Sequence, residues 1–103
     1  MKNKSRNIVA RDAFELSTIL DLDPQDAIEL DFRAKLNLKI VEIVARSGLT
    51  HAEVSKKAKT SRTRITAILN GKTQGISTDL LLRIIYALGF RTNVTFSQAK
   101  IAA

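Results

Sequence analysis

Apolar and polar residues alternate without interruption from Ile28 to Ile40. Such alternation is the usual pattern of a strand, but thirteen residues are long for one. The run is also rich in Leu, Ala, Lys, Glu and Arg, which favour helices. Beyond Ile40 the alternation breaks, because apolar residues follow one another up to Ala45. We therefore predict a single helix over residues 24–47.

The ends of this predicted helix carry helix-terminating residues. Asp23 is a good N-cap, Pro24 suits the first helical position, and Gly48 suits a left-handed C-cap. On a helix, the alternation produces two apolar stripes on roughly opposite sides. They are Ile28, Phe32, Leu36, Ile40 and Val44 on one side, and Leu30, Ala34, Leu38, Val41 and Ala45 on the other. One stripe can pack on its own domain, and the other is left for a second chain or for residues 13–20 folded back.

Two short helices with their own caps follow. Thr50 and Glu53 have the spacing of a capping box, which predicts a helix to about Ala58. Ser61 is the next N-cap, and its helix ends at Asn70 and Gly71. Two helices joined by a turn at residues 59–60 are typical of a helix-turn-helix, whose second helix enters the major groove of DNA. We therefore predict a recognition helix from about Ser61 to Asn70.

The C-terminal third predicts one more helix and a strand. Ser77 caps a helix through Leu88, and Gly89 closes it. The alternating residues that follow are typical of a strand: Phe90, Thr92, Val94 and Phe96. A strand needs a partner, and a second copy across a two-fold axis would supply one. This predicts a homodimer, although the outer stripe of the long helix is an alternative dimer contact.

The net charge of the 103 residues is +7, which favours an anionic partner such as nucleic acid. Residues 54–72 contain six bases and no acid, whereas residues 12–31 contain seven of the ten acids and no base. A chain with an acidic and a basic part is expected to have two different partners. The predicted organisation is a flexible or partly helical segment 1–22, a DNA-binding domain 23–97 with a C-terminal strand, and a tail 98–103.

Other classes of protein find little support. The chain has no cysteine, no apolar run of the roughly 18 residues that a membrane span needs, and no signal peptide. Gly-rich phosphate loops, paired catalytic motifs and metal-ligand clusters are not found either. The sequence thus predicts a cytoplasmic, non-enzymatic protein that needs no cofactor or metal and does not bind a membrane.

The segment LTHAEVSKKAKTSRTRITAILNG, residues 49–71, resembles the lambda-repressor-like or Xre helix-turn-helix family. The following ISTDLLLRIIYALGFRTNVTF is similar to its HigA-type antitoxin members. The resemblance implies an all-α, lambda-repressor-like helix-turn-helix bundle with a long N-terminal helix and one C-terminal β-strand. It also implies base reading by Arg62 and Thr63, groove-facing positions for Arg64 and Thr66, and a phosphate contact at Asn70.

The sequence departs from the family at three positions. His51 stands where glutamine is common, Lys59 stands where the turn often has glycine, and Thr60 is less apolar than is usual for an inward position. A lysine in place of that glycine is expected to adopt a positive φ with some strain.

The expected function is that of a sequence-specific, double-stranded DNA-binding repressor. As the resemblance implies, the protein would also be the antitoxin of a type II toxin–antitoxin pair, neutralising a small basic RelE/HigB-like ribonuclease toxin and repressing its own operon. The alternative is a stand-alone Xre-family regulator without a toxin partner. The predicted DNA-binding residues are Thr50, His51, Lys56, Lys57, Lys59, Ser61, Arg62, Thr63, Arg64, Thr66, Asn70 and Lys72. The predicted toxin-binding residues are Phe14, Leu16, Ile19, Leu20, Leu30, Ala34 and Leu38.

Overall fold

A computed structural model describes Asp21 and residues 23–98 of the chain. These residues form four helices: α1 (Pro24–Ser47), α2 (His51–Ala58), α3 (Arg62–Leu69) and α4 (Thr78–Ala87). The long helix α1 packs against α3 and α4, and α2 packs against the same two helices. The predicted all-α bundle is thus confirmed. The predictions for Phe14, Leu16, Ile19 and Leu20, and for most of the tail, lie outside the described residues.

Helix α1 begins and ends as its capping residues predict. The Asp23 carboxylate accepts a hydrogen bond from the backbone N–H of Gln25 at 2.8 Å. Gly48 has φ 73° and donates its N–H to the Val44 carbonyl, so the left-handed cap satisfies one of the last free carbonyls. Because local hydrogen bonds fix both ends, the helix spans residues 24–47 despite the strand-like alternation inside it. No helix among the described residues has both the length and the apolarity to cross a membrane.

Only the C-terminal half of α1 contributes to the main core. Leu36, Ile40 and Val44 of the first stripe are buried, whereas Ile28 and Phe32 of the same stripe are 56% and 38% exposed. The second stripe faces outward: Leu30 and Leu38 are 51% and 69% exposed, and Ala34 is exposed as well. The prediction that one stripe packs on its own domain therefore holds for the second half of the helix.

The core joins all four helices around a set of aliphatic side chains. Its buried members are Leu36, Ile40, Val44, Val54, Ala58, Ile65, Ile68, Ile76, Leu80, Leu81, Ile84 and Ile85. Burying one such large side chain contributes about 1.5–3 kcal/mol. Ile65 and Ile68 are fully buried on one side of α3. Their burial fixes how the short helix is rotated about its own axis, and hence which of its residues face solvent.

The C-terminal helix agrees with its prediction, but the strand after it does not form. Ser77 accepts the N–H of Leu80 at 3.1 Å, and Gly89 has φ 92° just beyond the end of α4. Residues 91–98 are exposed and belong to no strand. Strand hydrogen bonds need a second backbone, and residues 91–98 form no hydrogen bond with another backbone group in the described part of the chain. The predicted strand at Phe90, Thr92, Val94 and Phe96, and its pairing across a dimer, are therefore not supported.

Candidate nucleic-acid interface

Helices α2 and α3 are joined by a three-residue turn, Lys59 to Ser61. A capping box fixes the start of α2. The Thr50 hydroxyl accepts the Glu53 N–H at 3.1 Å, and the Thr50 N–H donates to Glu53 Oε1 at 2.8 Å. Two backbone donors that the helix cannot satisfy internally are thus paired, which stabilises an eight-residue helix that would be marginal alone.

The charge of Glu53 belongs to this cap. The hydrogen bond from the Thr50 backbone lowers the pKa of the Glu53 carboxyl, and the Thr50 side chain and the charge of Lys57 lower it further. Desolvation opposes the shift without reversing it, and the charge of Lys57 makes the smallest contribution. The ionised form is therefore the one that holds the box together.

Lys59 occupies a left-handed backbone conformation, with φ 56° and ψ 47°. Its N–H reaches the carbonyl of Lys56, which ends α2 and turns the chain toward α3. A side chain in this conformation costs about 1–2 kcal/mol relative to the right-handed region. The positive φ expected from the departure at this position is confirmed.

Helix α3 exposes three consecutive polar residues in its first turn. Ser61 Oγ accepts the Arg64 N–H at 3.1 Å, which caps the helix. Arg62, Thr63 and Arg64 are exposed, and their side chains make no hydrogen bond or ion pair with any other residue in the described part of the chain. Five N–H donors on each guanidinium are thus available to an outside acceptor.

The second turn of α3 is less exposed than its first. Thr66 and Ala67 are half-buried, and Ala67 packs against the core. Thr66 Oγ1 lies 2.9 Å from Nδ1 of His51, the first residue of α2. The hydroxyl donates or accepts in this contact according to the histidine tautomer. The contact places His51 beside the recognition helix and links the first residue of α2 to the middle of α3.

The remaining predicted DNA-binding side chains lie on α2 or at its cap, in the turn and at the end of α3. They are exposed in every case: Thr50, Lys56, Lys57, Lys59, Ser61, Asn70 and Lys72. Asn70 follows the last residue of α3, and its N–H closes the helix on the carbonyls of Thr66 and Ala67. The arrangement presents cations and hydroxyls, the groups that bind phosphate oxygens and base edges. No group of three or more metal-ligating side chains occurs among the described residues.

Two residues of α1 hold the end of the recognition helix and the loop that follows it, and neither was predicted from the sequence. Asn37 Nδ2 donates to the carbonyl of Ile68 in the last turn of α3 at 2.7 Å. Arg33 donates to the carbonyl of Thr73 at 2.8 Å and to Oγ1 of Thr78 at 3.0 Å. The available signal was their spacing: two polar residues four apart lie on one face of a helix, next to the core stripe.

Comparison with known proteins agrees with this geometry. A family model described as a helix-turn-helix domain matches residues 18–97, which is well over half of the chain. Searches of curated proteins and of solved structures found no match. The matched range contains all four helices and the exposed first turn of α3. The chain therefore belongs to this helix-turn-helix domain family, which supports a role as a DNA-binding regulator.

Proposed function

We propose that the protein is a sequence-specific, double-stranded DNA-binding repressor that reads bases with the first turn of α3. One observation carries this proposal: Arg62, Thr63 and Arg64 are exposed together on a helix whose opposite side is buried in the core. A short helix held in this way projects from the domain and fits the major groove, which is about 12 Å wide.

Each group has a defined partner in this arrangement. An arginine can pair bidentately with O6 and N7 of guanine, and a threonine can bond to a base or touch a thymine methyl. Thr66, held by His51, lies one turn further along the same helix. The exposed lysines around α3 contact phosphates, which fixes the register of the protein on the duplex.

Substitutions separate base reading from phosphate binding. We expect Arg62→Ala to weaken binding to the operator by about 1–3 kcal/mol and to relax specificity at one base pair. Lys56→Ala, the matched loss of one positive charge, should weaken binding to all sequences alike and lower the salt dependence. The assay is a fluorescence titration against the promoter of the protein's own gene and a scrambled duplex. If both variants bind the promoter like the parent, the assignment of the recognition helix is wrong.

The proposal includes a homodimer, since two recognition helices one DNA turn apart read a two-fold symmetric site. We place the dimer contact at the segment 91–98, paired antiparallel with its copy. Its backbone forms no hydrogen bond with another backbone group among the described residues, and Phe96 is 93% exposed. Analytical ultracentrifugation should show a dimer for the parent and a monomer for Val94→Pro. Proline has no backbone N–H, so residue 94 of this variant cannot donate a hydrogen bond to a neighbouring strand. A dimer that persists in Val94→Pro would place the contact elsewhere.

A second role, as an antitoxin, is favoured by the outer face of α1. Leu30 and Leu38 are exposed there, and Asp26, Glu29 and Asp31 lie in the N-terminal half of the helix, close in sequence to Leu30. An acidic surface with apolar side chains is complementary to a basic one, as expected of a RelE/HigB-like ribonuclease toxin. A stand-alone regulator would leave this face without a partner.

Co-expression with the neighbouring gene product tests this role. Leu38→Asp should prevent neutralisation of the toxin and co-purification with it, while DNA binding stays unchanged. Removing residues 1–22 should have the same effect if Phe14, Leu16, Ile19 and Leu20 also contact the toxin. A Gln25→Asp variant, which adds the same single negative charge at an exposed polar position of the same helix, controls for charge. Neutralisation that survives Leu38→Asp and the deletion would favour the stand-alone regulator.

A further inference from the structure

A basic cleft lies beside the recognition helix, on the side of the turn. It has a volume of about 290 Å³ and is formed by the turn, the first half of α3, the loop before α4 and one side of α4. Lys59, Arg64 and Arg83 supply its charged side chains. Arg83 comes from α4, so the three cations are brought together only by the packing of α4 against the helix-turn-helix.

No carboxylate lines this cleft, in contrast to the clefts along α1. Asp26 and Glu29 line one of those, and Glu42 lines another. None of the three cations forms an ion pair with an acid in the described part of the chain. Like charges around one open space repel each other, and an anion between them would relieve that repulsion.

The basic surface continues beyond this cleft. A neighbouring groove of about 400 Å³ shares Lys59 and Arg83, adds Lys57, and ends at the exposed Tyr86. It also lacks an acidic lining residue. The cations therefore extend over two adjoining clefts that share Lys59 and Arg83, rather than forming an isolated cluster.

Two features of the turn point to a ligand. Lys59 keeps a left-handed conformation in which glycine would be free of strain, so the turn places a cation there at a cost in stability. Thr60 also lines the cleft, and its buried hydroxyl oxygen has no hydrogen-bond partner among the described residues. A hydroxyl donor next to three cations suits a phosphate oxygen.

We propose that the cleft formed by Lys59, Thr60, Arg64 and Arg83 binds a phosphoryl group, and that this group is a DNA backbone phosphate flanking the base pairs read by α3. The inference rests on the proposed DNA-binding function and deepens it. Arg83 becomes a DNA-contacting residue on α4, and Arg64 contacts the backbone, which leaves base reading to Arg62 and Thr63.

The salt dependence of binding tests the proposal in the full-length protein. Each neutralised phosphate contributes about 0.9 to the slope of log K against log salt. Arg83→Gln should therefore reduce the slope by about 0.9, which corresponds to roughly eightfold weaker binding at about 0.1 M salt. Arg46→Gln is the matched control, because Arg46 is an exposed arginine of α1 outside both basic clefts. Arg64→Ala should weaken binding to operator and scrambled duplexes equally.

Two further measurements identify the source of the phosphoryl group. A methylphosphonate at the flanking position of the duplex should weaken binding of the parent but not of Arg83→Gln. Inorganic phosphate is titrated in parallel, and the amide resonances of Thr60, Gly75 and Ser77 are followed by NMR.

Thermal melting shows whether Arg83→Gln is folded. Its melting temperature should not change, since Arg83 is exposed and makes no hydrogen bond with the described residues.

The outcomes are distinct. In one outcome, Arg83→Gln leaves the salt slope unchanged, but inorganic phosphate shifts the cleft amide resonances in the parent and not in Arg83→Gln. This result would retain the phosphoryl site and assign it to a free phosphorylated molecule. An unchanged slope without such shifts would overturn the inference. If Arg62→Ala still relaxes specificity in that case, the proposed function stands without it. If the parent itself does not prefer the operator over a scrambled duplex, the proposed function fails while the phosphate titration still reports on the cleft.

Discussion

Replacing Arg33 with methionine tests how α1 supports the recognition helix. The guanidinium makes two hydrogen bonds, at 2.8 and 3.0 Å, to the loop after α3 and to the first residue of α4. A hydrogen bond that involves a charged group contributes about 1.5–3 kcal/mol when it is well shielded. Both acceptors are neutral, and water can replace the lost donor in this half-buried position. We therefore expect Arg33→Met to lower the free energy of unfolding by about 2 kcal/mol for the two bonds together.

A domain of this size loses about 4–8 °C in Tm per kcal/mol, so the expected decrease is about 8–16 °C. Thermal and urea denaturation followed by circular dichroism measure it. Hydrogen exchange should locate the change at the amide of Ile76, which donates to the Thr73 carbonyl that Arg33 also contacts. Lys35→Met is the control, because its exposed pair with Asp31 contributes only about 0–1 kcal/mol. Equal losses in the two variants would refute the role of Arg33.

Three other substitutions test the turns and caps. Lys59→Gly should stabilise the fold by about 1 kcal/mol in urea denaturation, by relieving the left-handed strain, yet weaken DNA binding; if DNA affinity is unchanged, the lysine is not a contact. Gly48→Ala should lower the free energy of unfolding by about 1 kcal/mol, because alanine is strained at φ 73° even though its methyl group would meet no atom within 4 Å. An unchanged free energy of unfolding would contradict the strain argument. Since the pKa of Glu53 is lowered in the folded state, its stabilising charge is fully present above the ordinary glutamate pKa of 4.5 and is lost as the pH falls through the folded-state pKa. In urea denaturation, the free energy of unfolding of the parent should therefore decrease relative to that of Glu53→Gln as the pH falls below about 4.5. Parallel pH profiles of the two proteins would exclude the effect.

The helix boundaries could be predicted because the groups that set them are close in sequence. Thr50 bonds to Glu53, Ser61 to Arg64, and Ser77 to Leu80, each within three residues. The same holds for the left-handed residues that end α1 and α2. Both partners of each of these bonds therefore lie within one short stretch of sequence, where their spacing predicts the bond.

Contacts between distant residues could not be predicted in this way. Arg33 and Asn37 bond to groups 31 to 45 residues away, so their role depends on how α1 packs against α3 and α4. Arg83 likewise joins Lys59 only through the packing of α4. The segment from Phe90 to Phe96 shows the opposite case. Its alternation is local, but a strand requires a second backbone, and the described residues form no backbone hydrogen bond with residues 91–98.

The three exposed side chains at the start of α3 are not part of what holds that helix in place. The helix is held by the Ser61 cap, by the burial of Ile65 and Ile68 in the core, and by the hydrogen bond from the Asn37 amide of α1. The residues that face outward can therefore be exchanged without a loss of folding free energy. A library randomised at 62 and 63 should remain folded while its members differ in preferred target, so the domain is a suitable starting point for engineering altered-specificity repressors.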